Sequence, residues 1–480
     1  MDLSRRPAAL LWAAIALNTI ATLYTARVTL KNFPNSGDEY ATVVSATLFA
    51  EGRLSAPSPP APTFFDITHI INNGRYFGKY PPGWPMVLAP GVALGIAWLV
   101  NPVFGILTLL IVYRTALEHF SLRTARIALL LATLNPFLIF NSASYFSHPS
   151  CLVFIALAIF ALLRVANGSV ARRDLLLMGG AAGLAFLIRP FTAAVALAPA
   201  GLYLAVRLQR TDRWKTLVGR IRWALLPFLS CVLGFLIYNQ CMTGDPYLQP
   251  FTLYDPRDAL GFGGQFDDFP RRVMNTVVIR AFELNKWVPL SVVLLGLFFA
   301  DPRLRVSSRP LLFCAVPLSL GLAYFFYWGH GGNQYGPRYL YESLTCLLLA
   351  SAVVLARWGS VGKILVATVV LLNVTTFAWA TSFYGRQVQE RTDVYDRVAE
   401  RGLSNAIVFL GTGSGTMFPC DLTRNGTRFD GPVLYVQDRG PANKELLAAF
   451  PKRMPYIYEF DAAAGRGSLR PCPNLTPRSP

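Results

Sequence analysis

Eleven stretches of this 480-residue chain are apolar over close to the length that crosses a bilayer, and this constrains its fold most strongly. They are residues 8–25, 103–117, 127–143, 151–166, 175–188, 192–206, 223–239, 287–300, 311–328, 343–356 and 361–379. A spanning helix needs about 20 predominantly apolar residues, which each run approaches once its flanks are counted. Backbone inside lipid must satisfy its own hydrogen bonds, so such a series folds as membrane-crossing α-helices. The expected class is a polytopic α-helical membrane protein, and a soluble multidomain architecture is excluded. A hydrophobic content of 53%, a charged content of 15% and a mean hydropathy of +0.41 agree. Residues 1–6 are too short, and the region after them too poor in a small-residue cleavage signal, for a signal peptide, so the first run is expected to be a retained anchor.

The net charge of +18 would suggest nucleic acid in a soluble protein. Alternate connecting segments, however, collect 19 basic residues, among them Arg123, Arg126, Arg213 and Lys363, against five acidic ones. Lys and Arg are retained on the cytoplasmic side, so these segments are placed inside, and only +4 remains for everything else. No nucleic-acid partner is expected. The apolar stretch 84–100 breaks the alternation, because a full crossing there would invert every later loop. Pro85, Pro90, Gly91, Gly95 and Pro102 suit a reentrant or interface helix, and an ordinary twelfth span is the other reading. Seven cysteines without CxxC spacing exclude a disulfide scaffold and a zinc ribbon, and leave open whether Cys420 and Cys472 pair.

This topology leaves four outward pieces: 26–83, 240–286, 329–342 and the tail from 380. The first three belong to a transmembrane domain, 1–379. The tail, 380–480, alternates short runs at 405–410, 432–436 and 456–460 with a helical segment at 442–450, as in a small α/β domain. In the loop 240–286, the aspartates 245, 255, 258, 267 and 268 fit either acceptor binding or a solvated lid.

Three clusters carry the polar chemistry. Asp38 and Glu39 follow the first span; a carboxylate at the edge of a low-dielectric region can take a proton from a hydroxyl, and it can equally stabilise a helix start at 41–50. The turn Arg75-Tyr76-Phe77-Gly78-Lys79-Tyr80-Pro81-Pro82-Gly83-Trp84 puts a lysine among interfacial aromatics, suited to a lipid phosphate or to snorkelling. The late segment from Gly329 to Leu340, containing His330, Tyr335, Arg338 and Tyr339, can wrap an anion or form a tight turn whose arginine caps a helix.

In order, Asp38-Glu39, Lys79-Tyr80-Pro81-Pro82 and Gly336-Pro337-Arg338-Tyr339 resemble the motifs of the integral-membrane GT-C glycosyltransferases. The likeness is to the bacterial branch akin to protein O-mannosyltransferases and lipid A aminoarabinose transferases (glycosyltransferase family 39 and relatives), over most of residues 1–379. It implies an inverting hexosyl- or pentosyltransferase of the bacterial inner membrane. Such an enzyme moves a sugar from a polyprenyl phosphate to a glycan, lipid or protein on the extracytoplasmic face, amid membrane lipids. By the same resemblance Asp38 is the general base, assisted by Glu39, while Lys79, Tyr80 and Arg338 hold the departing phosphate. His148, His330, Tyr335 and Tyr339 are substrate-binding candidates. Family members often carry an acidic residue where this chain has His148, so His148 either orients the sugar, ligates a divalent ion with Asp38, or caps the helix at Pro149. Arg189, a charge at the outer end of the fifth span, is a further phosphate neighbour or a snorkelling side chain. The alternative class, a flippase for lipid-linked sugars, would place its polar groups near the midplane on broken helices rather than in outer loops.

Overall fold

The computed structural model describes residues 6–258, 273–302, 308–327, 332–411 and 419–472. His330, Asp267 and Asp268 lie outside them, as does the side chain of Cys420. The chain divides into a helical unit (Met1–Arg27, Pro81–Trp84 and Trp98–Thr381) and a mixed unit (Val28–Tyr80, Pro85–Ala97 and Ser382–Pro480).

Each of the eleven apolar runs carries helix, interrupted at 134–135 and 288–290 and ending at Phe325 in the run 311–328. Among the described residues, seven helices are long and apolar enough to cross a membrane, and two bent pairs raise the number to nine. The other two runs lie in Arg172–Ile188, which opens on Arg172, Arg173 and Asp174, and in the short apolar helix Pro310–Phe325. Burial separates centre from periphery. Helix His148–Ala166 and the span Arg338–Arg357 are 78% buried, whereas Pro190–Arg210 and Arg222–Thr243 are 22% buried. The outer helices leave Leu229, Leu233 and Ile237 uncovered; apolar all round, they suit a lipid solvent rather than water.

Two runs read as single spans are broken. In 127–143 the helix Leu122–Thr133 stops, and Pro136–Ser142 restarts at a 58° bend. Asn135 causes it: its side chain accepts from the Leu138 amide at 3.0 Å, and Pro136 occupies the first turn, where a missing N–H costs nothing. The run 287–300 breaks at Pro289 and Leu290, the latter at φ 61°, leaving Val277–Trp287 and Ser291–Ala300 bent by 104°. The stretch 84–100 becomes an 11-residue helix, Gly83–Ala93, ended by Gly95 at φ 69°. At 1.5 Å per residue that helix is about 16 Å long, half a bilayer core, so it does not cross by itself.

In the mixed unit, strands β1 (Ala56–Pro57), β2 (Ile70–Asn72) and β3 (Arg75–Gly78) form an antiparallel sheet in the order β1-β3-β2. An Asn73-Gly74 turn, with Gly74 at φ 73°, joins β2 to β3, the sequence a two-residue hairpin favours. Strands β4 (Ala406–Leu410), β5 (Val433–Gln437), β6 (Met454–Asp461) and β7 (Arg466–Pro471) form a second sheet in the order β5-β4-β6-β7, in which β4 is parallel to both neighbours. With helix Asn443–Ala449 this is the small α/β tail read from the sequence; β7 was not anticipated, since Arg466–Pro471 has a single core residue, Leu469. Val394 and Val398, from the end of the 42-residue helix Gly359–Glu400, pack with Val408, Leu410, Tyr458 and Phe460 in its core.

Candidate active site

Asp38 and Glu39 form the first turn of helix Gly37–Ala50. Ser36 caps it, its hydroxyl accepting from the Glu39 amide at 3.2 Å. The two carboxylates differ in environment: Glu39 is fully buried, while the Asp38 side chain keeps 28% of its surface. The sequence left open whether the pair serves a helix or a reaction. The geometry satisfies the helix reading for both and leaves Asp38 reachable.

Around Asp38 the hairpin supplies two partners. The Tyr80 hydroxyl donates to Asp38 Oδ1, and His69 Nε2 lies 3.3 Å from the same oxygen. His69 and Lys79 are adjacent across the end of the hairpin, one residue beyond the Ile70 and Gly78 pair, and the Lys79 amide donates to the His69 carbonyl at 3.0 Å. His69 holds φ 69°, an unusual backbone for a residue with a side chain, and such strain is commonly retained at functional positions. Lys79 is 6% exposed, its ammonium 5.8 Å from the Tyr80 ring centre. Gly78 explains how strand and helix come so close, since a Cβ there would stand 2.4 Å from the Ala41 carbonyl oxygen. Gly37 is similarly hemmed in by Thr68 and Asp421.

The tail domain fixes this helix from behind. Tyr40 donates to the Asn425 carbonyl at 2.8 Å, and burial pushes its phenol up to about 12, so it remains a donor at neutral pH. Thr423 donates to the Asp66 carbonyl at 2.9 Å and Gln437 to the same oxygen at 2.8 Å, tying the tail to the segment just before His69.

The helical unit holds a second polar cluster. Glu342, fully buried, accepts from His148 Nδ1 at 2.9 Å and pairs with Arg189 Nε at 3.1 Å. Arg189 also reaches Ser147, Thr192 and Tyr324 at 3.3 to 3.4 Å. His148 and Arg189 are therefore committed to Glu342, and Arg189 is ion-paired rather than snorkelling. The Arg338 guanidinium lies 3.8 Å from the Phe146 ring centre, and the Tyr339 ring stacks on Tyr324 at 4.6 Å. Tyr335 is fully buried, packed on Phe140 and Phe146. Its position depends on Gly336, at φ 99°, where a Cβ would meet Phe137 at 2.7 Å.

Sequence reasoning passed over Glu342 and His69. Glu342 had a usable signal, as a carboxylate at the edge of an apolar run, a position where ionisable groups are rare and paired. His69 had none beyond its loop. Among the described residues no three His, Cys, Asp or Glu side chains gather into a metal site; Asp38 and His69 make two donors.

Helices long and apolar enough to cross a membrane, together with a small α/β tail, describe a multi-pass membrane protein whose fold is similar to that of ArnT. Residues 65–253 match the Alg9-like mannosyltransferase family, and 406–477 match a domain of unknown function, DUF7846. The structure is similar to that of ArnT from Cupriavidus metallidurans bound to undecaprenyl phosphate, with a TM-score of 0.58 at 14% identity, over 97% of this chain and 99% of ArnT. The apo state of ArnT gives the same score and identity over 98% and 100%. The Archaeoglobus fulgidus oligosaccharyltransferase in its apo form follows at 0.46 and 12% identity, over 93% of this chain and 69% of that one. No functionally curated protein matches the chain by sequence.

Proposed function

We propose that the protein is an inverting glycosyltransferase that moves a sugar from a polyprenyl phosphate to a hydroxyl of a glycan, lipid or protein on the extracytoplasmic face. The observation that carries this reading is the accessible Asp38 carboxylate, held by Tyr80 and His69 on the hairpin that bears Lys79. The match to the mannosyltransferase family and the undecaprenyl phosphate in the ArnT structure support the choice of chemistry.

In this mechanism the acceptor hydroxyl gives its proton to Asp38 while its oxygen bonds to the anomeric carbon. The bond from that carbon to the phosphate oxygen breaks on the opposite face, and its electron pair leaves with the lipid phosphate. Lys79 stabilises that developing charge. Tyr80 and His69 hold the Asp38 oxygen in place, and buried Glu39 supports the turn. Arg338 is the helical unit's candidate for binding an anion.

Purified protein given a polyprenyl phosphate sugar and acceptor tests the reading, with release of the polyprenyl phosphate as the signal. Lys79→Ala is expected to lower both donor affinity and rate by roughly 10- to 100-fold, the scale of one charge-assisted hydrogen bond. Unchanged donor use in a folded variant would reduce Lys79 to an interfacial side chain. Lipid movement without sugar transfer would favour a flippase.

The proposed topology has eleven crossings, with the basic connections inside and the tail outside. In a variant whose seven cysteines are replaced, a cysteine at exposed Lys452 is expected to react with an impermeant thiol reagent in intact cells. One at exposed Thr211 is expected to stay unlabelled until the cells are opened. The reverse pattern overturns the sidedness and, with it, the donor and acceptor compartments.

A further inference from the structure

The helical unit contains a groove that the reaction above does not use. It lies between Leu122–Thr133, Leu344–Arg357 and the early turns of Gly359–Glu400, and its volume is about 580 Å³. The first and last of these helices touch near both ends of it. Arg123 donates to the Gly359 carbonyl at 3.4 Å, and Asn373 donates to the Leu131 carbonyl at 3.4 Å. From Arg123 to Leu131 is eight residues, or roughly 12 Å of helix, and over that length the space between them is open.

The walls are of two kinds. Ile127, Leu130, Leu355 and Val366 are apolar, and the polar lining consists of three cations, Arg123, Arg126 and Lys363, toward the starts of their helices. No carboxylate, amide or hydroxyl side chain lines the groove among the described residues. Arg126 and Lys363 are exposed, and neither forms an ion pair with a described residue; the nearby Arg357 takes Asp301 at 3.7 Å. A cavity of this size is within the range of small-ligand sites. A water-soluble polyanion would find nothing here for its hydroxyls or bases, and an uncharged lipid would leave the Arg126 guanidinium and the Lys363 ammonium unanswered.

We infer that this groove binds a phospholipid of net negative headgroup, with its phosphate between Arg126 and Lys363 and an acyl chain along Ile127, Leu130 and Val366. The lipid would act as a wedge between the long helix and Leu122–Thr133 along the groove that both line. With the proposed topology this end faces the cytoplasmic leaflet, where anionic lipid is concentrated and basic residues gain most from it.

The test uses the full chain, purified in uncharged detergent and stripped of lipid, with phosphatidylglycerol as the probe. Native mass spectrometry is expected to show a 1:1 phosphatidylglycerol adduct, and thermal unfolding to move upward by several degrees. Phosphatidylcholine and inorganic phosphate at the same concentration should do neither. Arg126→Gln with Lys363→Gln should weaken retention by roughly tenfold or more, from two lost headgroup charges, while the lipid-free melting temperature stays at the wild-type value. Should that variant fail to fold, Leu130→Trp, which fills the groove and keeps the cations, should abolish the adduct. Equal retention of phosphatidylcholine, competition by inorganic phosphate alone, or wild-type retention in either variant would overturn the site. None of these readouts depends on sugar transfer.

Discussion

Asp38→Asn is expected to abolish sugar transfer while leaving the protein folded and able to bind donor. The amide keeps the shape of the carboxylate and can still accept from Tyr80, so the contact that fixes the helix start on the hairpin survives. It cannot take the acceptor's proton. General-base catalysis contributes about 10² to 10⁴ in rate, and the loss should lie at or beyond the upper end, because no second accessible carboxylate shares the turn: Glu39 is fully buried. Donor binding by calorimetry and turnover at saturating donor and acceptor separate the two effects. Turnover at the wild-type rate would remove Asp38 from the chemistry. Loss of donor binding along with turnover would mean that the carboxylate organises the site rather than receiving the proton.

The second large effect concerns stability. Glu342→Ala is expected to destabilise the helical unit by about 3 to 5 kcal/mol, because it strands the Arg189 charge in a buried setting and removes the acceptor of His148 Nδ1. Uncompensated buried charge, rather than lost attraction, is the source of this cost. Replacing Arg189 as well should therefore recover part of it, and Glu342→Ala with Arg189→Met should melt above Glu342→Ala alone. Additive losses, or a single variant within about 0.5 kcal/mol of wild type, would show that the ion pair carries little of the folding energy.

How much of this was legible in the sequence depends on the range of the interaction. Periodic apolar length is a local property, and it located a helix under each of the eleven runs. The tail strands 406–410 and 433–437 were legible for the same reason, since short apolar runs bounded by turn residues are written in adjacent positions. The breaks at Asn135-Pro136 and Pro289 were also written there, but a sum over a window of apolar residues hides a single cap or proline.

The site was legible only in part. Asp38 and Lys79 were singled out from neighbouring residues of distinctive chemistry, and the fold brings them onto a helix and a hairpin that pack together through Gly78. What they touch was not legible. That His69 and Tyr80 converge on Asp38 Oδ1 depends on the register of β2 against β3, and a shift by one residue would turn every side chain to the other face. Arg189 read as a phosphate neighbour from its charge at the outer end of a span, and His148 as a substrate group from the position where the resembled family often has an acidic residue. Both are instead answered by Glu342, more than 150 residues further on.

By itself, then, the sequence determined that the chain enters a membrane many times, where its helices fall, and which residue types can do acid-base and phosphate chemistry. Each of these follows from transfer free energies and side-chain chemistry summed over neighbours in the chain. Tertiary structure alone decided which of those groups remain available, leaving Asp38 reachable and pairing Arg189 and His148 inside. A charge in a low-dielectric interior is stable only beside its partner, and the distance to that partner is a property of the fold and not of the order of residues.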